Sequence, residues 1–340
     1  MIATTDPMPR RIPTYVVLVL LFALVGACST STAKPGADGT TPPRLTLYTS
    51  VTQNTVDAVV TGFTAAHPGA KVDVYRATTG ALNARLAAEQ RSGGVRADVI
   101  WGTDPLSMQS YAEQKLLRAW PLPDATGVPA DARTAYFWGT RILYVVMVTR
   151  NDLSPVPTGW ADLTDPAYRN AVALPDPAAA GSAFAAVGYF SQAPGFGMDF
   201  YRTLKRNGAV QVSTVPEVVT SVAQGRYRLG ITLDSEVRTA VAHGSPVRAV
   251  WPKEGAIALY SPIAETAAAR NAAAAQSFLA YVLSTDGQRR IGASGWQPIV
   301  PDVPGPPRPA GATSVSPDWT ALFGRQREIL RQYQAIFGPA

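Results

Sequence analysis

The sequence predicts an α/β fold built on parallel sheet with both faces covered. Two observations carry this. From residue 45 onward, β-prone segments alternate with segments of helical spacing. In addition, 340 residues with 46% apolar and 16% charged side chains suffice for about two packed domains and exclude wholesale disorder.

The elements follow in order. Leu45-Thr46-Leu47-Tyr48 alternates as a strand, and Gln53 to Ala66 is a helix with Val56, Val59, Val60 and Phe63 at helical spacing. Pro68-Gly69 breaks it. Lys71 to Arg76 is the second strand and Gly80 to Gln90 the second helix; Ala97 to Trp101 is the third strand. Pro105 opens a third helix, where its missing N–H costs nothing. Further strands are expected at Ile142–Val148, Ala171–Leu174, Leu229–Leu233 and Ala256–Tyr260. Helices are expected at Ala183–Phe190, Met198–Lys205, Val215–Gln224, Arg270–Leu283 and Asp318–Phe337, the last capped by Ser316 or Asp318. No short-period repeat occurs.

The N-terminus reads as a targeting segment. Arg10 and Arg11 precede an apolar run from Val16 to Val25, which ends in Leu24-Val25-Gly26-Ala27-Cys28. The run is short for a bilayer core of about 30 Å. Cys28, the only cysteine, stands where a bacterial lipobox has its own, and this resemblance implies cleavage before Cys28 and a lipid anchor on it. Residues 1–27 are then a leader and residues 28–43 a flexible Ser/Thr/Gly/Pro/Ala tether. The formal charge is +6, and loss of Asp6, Arg10 and Arg11 with the leader leaves +5. The charge is dispersed and forms no basic run, so no nucleic-acid partner is expected. One cysteine excludes an internal disulfide framework and a thiolate zinc cluster, and two histidines leave few metal or triad options.

Five segments then line up in order: Leu45–Ser50 (LTLYTS), Ala97–Asp104 (ADVIWGTD), Leu174–Ala183 (LPDPAAAGSA), Gly230–Glu236 (GITLDSE) and Gly292–Val300 (GASGWQPIV). Together they resemble an extracellular solute-binding protein of an ABC importer, in the subgroup of ferric-iron, 2-aminoethylphosphonate and sugar-phosphate binders. The resemblance implies a type II periplasmic-binding-protein-like fold: two α/β lobes of mixed, mostly parallel sheet, hinged by two strands. Lobe one is expected at 44–145 plus 261–340, lobe two at 146–260, with Ile142–Val148 and Ala256–Pro262 as hinge strands. It also implies a small-molecule solute in the interlobe cleft, permease and ATPase partners, a monomer, and a place at the outer face of the plasma membrane.

Five turns carry hydroxyls, glycines or acids where a helix begins: Thr49–Thr52, Thr78–Ala81, Gly102–Asp104, Ala180–Ala183 and Asp234–Glu236. Free N–H groups and the helix dipole favour an anion there, although the same residue types also serve as plain caps. In the family fold these turns converge on one cleft. The expected ligand contacts are Thr49, Ser50, Thr78, Thr79, Trp101, Thr103, Gly181, Ser182, Asp234 and Ser235. Trp101, Tyr136, Trp138, Tyr48 and Trp296 are candidate cleft aromatics, and Arg141 and Arg85 candidate contacts to an acid group. Ferric binders of the family place adjacent tyrosines where this chain has Asp234-Ser235, and their early histidine is replaced within Val51-Thr52-Gln53. Iron is therefore disfavoured, and no metal or cofactor is expected. An oxyanion cradle with a carboxylate at Asp234 or Asp104 suggests an anionic or zwitterionic solute of phosphonate or phosphate-ester type. No GxSxG, P-loop, HExxH or CxxC spacing occurs, so no enzyme is expected. The alternatives are a ferric-iron-binding transport lipoprotein and, outside transport, a surface adhesin or secreted hydrolase.

Overall fold

The computed structural model describes residues 44–121 and 127–338. The leader, Cys28 and the tether lie outside the described residues.

The chain opens with β1 (Arg44–Thr49), α1 (Gln53–Ala66), β2 (Lys71–Arg76), α2 (Thr79–Arg91), β3 (Val99–Trp101) and α3 (Pro105–Glu113). Helix α1 forms because Val56, Val59 and Phe63 recur on one face and are buried. Gly69, at φ 88°, reverses the chain into β2. Both β2 and β3 pair parallel to β1. Asp104 caps α3, its Oδ1 accepting from the Ser107 N–H at 2.7 Å.

Next come β4 (Trp138–Arg150), β5 (Val172–Pro175), α4 (Gly181–Gln192), α5 (Gly197–Arg206), β6 (Val210–Val212), α6 (Val215–Ala223), β7 (Leu229–Leu233), α7 (Asp234–Ala242), β8 (Val247–Val250) and β9 (Ala256–Glu265). The chain ends with α8 (Ala272–Leu283), α9 (Thr285–Ala293), β10 (Gln297–Pro298), β11 (Ser314–Val315), α10 (Trp319–Leu322) and α11 (Gln326–Phe337).

One sheet runs in the order β2-β1-β3-β9-β4-β7-β5-β6. Its ends are parallel, as expected: β2-β1-β3 on one side, β7-β5-β6 on the other. Its centre is antiparallel, because β4 and β9 run the chain across the middle and back. Strand β9 meets β3 through Ile263–Glu265 and β4 through Ile257–Ile263, while β4 meets β7 through Val145–Thr149. Both long strands are buried almost throughout, without alternation, because both faces are covered. They extend past the expected hinge segments: β4 starts at Trp138, and β9 continues through Ser261-Pro262 to Glu265.

Two departures concern helices. The expected terminal helix at 318–337 is two helices, because Gly324 sits at φ 84° between them; Asp318 is the cap, accepting from the Ala321 N–H. Helix α9 was not anticipated from its polar, glycine-bearing sequence. It forms because Ser284 caps it and Gln288, fully buried, bonds the Thr140 and Val282 carbonyls and the Ile299 N–H. Finally, α11 packs against α4 and α5 as well as α3.

Candidate functional site

A cavity of about 170 Å³ opens where the strand-to-helix turns meet. All five turns singled out in the sequence contribute to its wall: Ser50 and Thr52; Thr78 and Thr79; Thr103; Ala180 to Ser182; and Glu236. A sixth turn, Ser213-Thr214 before α6, joins them, and the long strand β4 adds Arg141 and Leu143 from behind.

The turns gather because each begins a helix at the carboxyl end of a strand. Three hydroxyls form a chain: Ser50 Oγ lies 3.2 Å from Thr103 Oγ1, which lies 3.3 Å from Thr79 Oγ1. Thr78 caps α2 through the Ala81 N–H, and Thr214 caps α6 through the Glu217 N–H. Helix α4 differs from both. Its cap position is Ala180, which has no side-chain oxygen, so its first N–H groups face the cavity without a capping acceptor. Gly181 lets this helix end come close: a Cβ there would overlap Asp104 Oδ2 and lie 2.8 Å from Thr103 Oγ1.

Arg141 dominates the electrostatics. Its side chain is fully buried on β4 and stacks over Trp296 at 4.0 Å; Nη1 reaches Thr55 Oγ1 at 3.4 Å, and Nε has no partner. Burial pulls the guanidinium down to about 9, partly opposed by Glu236, so it stays charged at neutral pH. Burial pushes the Glu236 carboxyl up, with Arg141 opposing. Arg76, exposed, is tied by Nε to the Val51 carbonyl at 2.7 Å and completes the charged wall. Dipole ends, hydroxyls and guanidinium groups make a receptor for an oxyanion.

Six of the ten expected contacts line this cavity: Ser50, Thr78, Thr79, Thr103, Gly181 and Ser182. The other four lie elsewhere. Thr49 is inside the strand end, donating to the Trp101 carbonyl at 2.8 Å. Trp101 is a core residue whose Nε1 donates to Thr140 Oγ1. Asp234 accepts from Arg238 at 3.1 Å, and Arg238 donates on to the Gly295 carbonyl at 2.9 Å. Ser235 is buried, its Oγ without a partner. Of the other candidates, Trp296 and Arg141 reach the wall. Tyr48 and Arg85 are held together with Glu89, Trp138 packs edge-on to Trp120, and Tyr136 is exposed on the surface. Arg76, Ser213 and Thr214 were not singled out, and Glu236 was named within its turn but not among the expected contacts. The Ser213-Thr214 turn carried the same signal as the others, but three-residue β6 before it was too short to read.

The bacterial extracellular solute-binding protein family matches residues 45–297. A spermidine/putrescine-binding periplasmic protein of Salmonella typhimurium is 28% identical over 169 residues, 47% of each chain. An uncharacterised protein of Haemophilus influenzae is 29% identical over 138 residues, 40% of each. The chain thus spans less than half the length of these relatives. Among solved structures, the periplasmic binding protein AfuA of Actinobacillus pleuropneumoniae, bound to fructose-6-phosphate, superposes with TM-score 0.78 at 19% identity, over 87% of this chain and 99% of that one. Iron-bound HitA of Pseudomonas aeruginosa gives 0.76 at 19% identity, with the same coverage. These likenesses establish the type II periplasmic-binding fold. With most of its length matched, the chain belongs to the bacterial extracellular solute-binding proteins.

Proposed function

We propose that this protein is the solute-capturing component of an ABC importer, taking a small anionic or zwitterionic solute of phosphonate or phosphate-ester type. The carrying observation is Arg141: a fully buried guanidinium on the cavity wall with an unpartnered Nε. A buried charge without a counter-charge is costly, and an oxyanion would supply one. The hydroxyl chain and the uncapped end of α4 support the same reading. Ferric iron fits less well. The wall has one carboxylate, Glu236, and neither tyrosine nor histidine, and among the described residues no three His, Cys, Asp or Glu side chains gather. A polyamine, as the Salmonella relative's name would suggest, meets two guanidinium groups against that single carboxylate.

The lobes are 44–145 plus 261–340 and 146–260, with α11 laid back on α4 and α5 of the second lobe. Solute touching both lobes favours the closed form by its differential affinity, and the closed form docks on a permease served by an ATPase. The protein acts as a monomer held by lipid on Cys28; replacing Cys28 by Ala releases it from membranes, and retention would contradict the anchor.

The test is thermal unfolding against a panel of phosphonates, phosphate esters, polyamines and Fe³⁺. A solute at 100 times its Kd adds about 2.7 kcal/mol. Arg141→Met is expected to abolish that gain. Stabilisation by Fe³⁺ or a polyamine alone would overturn the choice of solute.

A further inference from the structure

Four loops meet at the end of the sheet away from the solute cavity: 150–155 at the end of β4, 165–171 before β5, 224–228 before β7 and 245–248 at the start of β8. Strand pairing brings them together, because β5 and β7 start side by side, β4 ends beside the start of β7, and β8 starts beside the end of β4. Backbone bonds join them directly: the Arg150 N–H donates to the Arg228 carbonyl at 3.3 Å, the Asn151 N–H to Pro246 at 3.0 Å and the Arg228 N–H to Ala171 at 3.0 Å. Leu143 on the cavity wall and Arg150 are seven residues apart on β4, so roughly 23 Å separates the two ends at about 3.3 Å per residue. These loops hold Arg150, Arg169, Arg226, Arg228 and Arg248 against two carboxylates, Asp152 and Asp165, a net charge of +3. Arg150 pairs with Asp152 at 3.0 Å, and Asp165 accepts from the Ala167 N–H at 2.7 Å. The other four arginines belong to no ion pair among the described residues. Arg228 reaches only the Ala167 and Ser154 carbonyls, and Arg248 only the Leu153 carbonyl, each at a long 3.4 Å. Arg169 and Arg226 are exposed, and no side-chain hydrogen bond ties them to the described residues. An open hollow of about 400 Å³ lies between Arg150 and Arg228. Spaced widely along the chain, these arginines form no basic run; the sheet gathers them.

We infer that this end of the molecule is an electrostatic docking surface for the anionic headgroups of a phospholipid bilayer. The choice of a bilayer rests on the proposed lipid on Cys28, which holds the chain at one; the arginine cluster does not depend on that reading. Guanidinium groups match phosphate oxygens through paired N–H donors. Like charges gathered on four loops repel one another, and a negative surface offsets that repulsion. The arginines are spread over the four loops and do not converge on one point, which suits a plane of headgroups better than a single small anion. An arginine close to an anionic surface strengthens binding by about five-fold. The anchor and the patch then have separate roles: the anchor keeps the chain near the membrane, and the patch sets which end faces it. Docking by this end leaves the cavity, at the other end of β4 and β7, turned toward the solvent that carries the solute.

The experiment is sedimentation of the full-length protein with vesicles of phosphatidylcholine alone and of phosphatidylcholine and phosphatidylglycerol in equal parts. Three proteins are compared: the wild type, Arg169→Gln/Arg226→Gln in the patch, and Arg327→Gln/Arg331→Gln at exposed positions of α11, which changes the net charge equally elsewhere. All three share one N-terminus, so any hold by the anchor or leader cancels in the comparison. The wild type is expected to partition about ten-fold or more better onto the anionic vesicles, and to lose that preference in high salt. The patch variant is expected to lose about five-fold or more of the preference, and the α11 variant to keep it. Because neither patch side chain is hydrogen-bonded, that variant is expected to unfold at the wild-type temperature, and thermal unfolding accompanies the sedimentation. A wild type that partitions equally onto both vesicles, or binds neither, overturns the inference. So does an equal loss in the two variants, which would make net charge the cause in place of the patch. Each of these results leaves the anchor, tested by Cys28→Ala, and the solute reading standing.

Discussion

Asp104 shows how a single carboxyl is caught between two jobs. It caps α3 through Oδ1, but Oδ2 is buried beneath the Gly181 backbone with no partner. Burial raises its pKa to about 6, against the lowering effect of the Ser107 and Leu106 N–H groups. For an acid whose folded pKa is raised, the folded protein binds the proton more tightly than the unfolded chain. The penalty is therefore absent below the unfolded value of about 4, grows as pH rises toward 6, and is complete above it. Asp104→Asn keeps a cap acceptor and removes the charge. It is expected to raise the unfolding temperature at pH 7.5, by up to about 3 kcal/mol of stability, with the gain vanishing near pH 4. A pH-independent effect in thermal unfolding would contradict this. At this scale the sequence was legible where chemistry is local: Ser50, Thr78, Thr79, Thr103 and Ser182 are hydroxyls at helix starts and lie on the wall. It was illegible where one turn of helix decides. Asp234 and Glu236 are two positions apart, so they point to different sides of α7, and only the packing of α7 chooses which faces the cavity.

Helix α4 is the element on which the site turns. Its residues are small at the start (Gly181, Ser182, Ala183) and buried almost throughout, so its N-terminus can be driven against the α3 cap. Gly181→Ala puts a methyl group into Asp104, whose side chain is fixed by the Ser107 N–H. We expect solute affinity to fall ten-fold or more, read by calorimetry, with the helix content unchanged by circular dichroism. An unaltered affinity would mean that this approach is not needed for binding. The elements that were legible are those whose pattern is internal, such as α1 with its returning valines, and β4 with its continuous apolar run. Those that were missed depend on partners distant in sequence. Helix α9 exists because buried Gln288 reaches Thr140 and Ile299, and two-residue β10 exists because β4 lies beside it.

Across the whole molecule, the polar contacts that span the proposed cleft lie beside buried groups without partners. Gly80 N–H donates to the Ala179 carbonyl at a long 3.3 Å, and Arg238 reaches the Gly295 carbonyl at 2.9 Å. Beside these stand Asp104 with an unpartnered oxygen and Arg141 with an unpartnered Nε, both buried. A buried unsatisfied charged group costs more than one ordinary hydrogen bond returns. Separation of the halves would return water to whichever of these groups the cleft covers. A solute oxyanion on Arg141 removes one of the two penalties and adds contacts from both sides, which tips the balance to the apposed form. Helix α11 constrains the motion, because it packs on α3 as well as on α4 and α5, and Tyr333 on it sits edge-on to Tyr201 with centroids 5.1 Å apart. On the proposed lobe division, a rotation about β4 and β9 with α11 near the axis would keep these contacts. Solution X-ray scattering should then show a smaller radius of gyration on addition of a binding phosphonate, and Arg141→Met should keep the radius of the solute-free protein whether solute is added or not. A wild-type radius that does not change at saturating solute would contradict the hinge and leave a cavity that fills without closing.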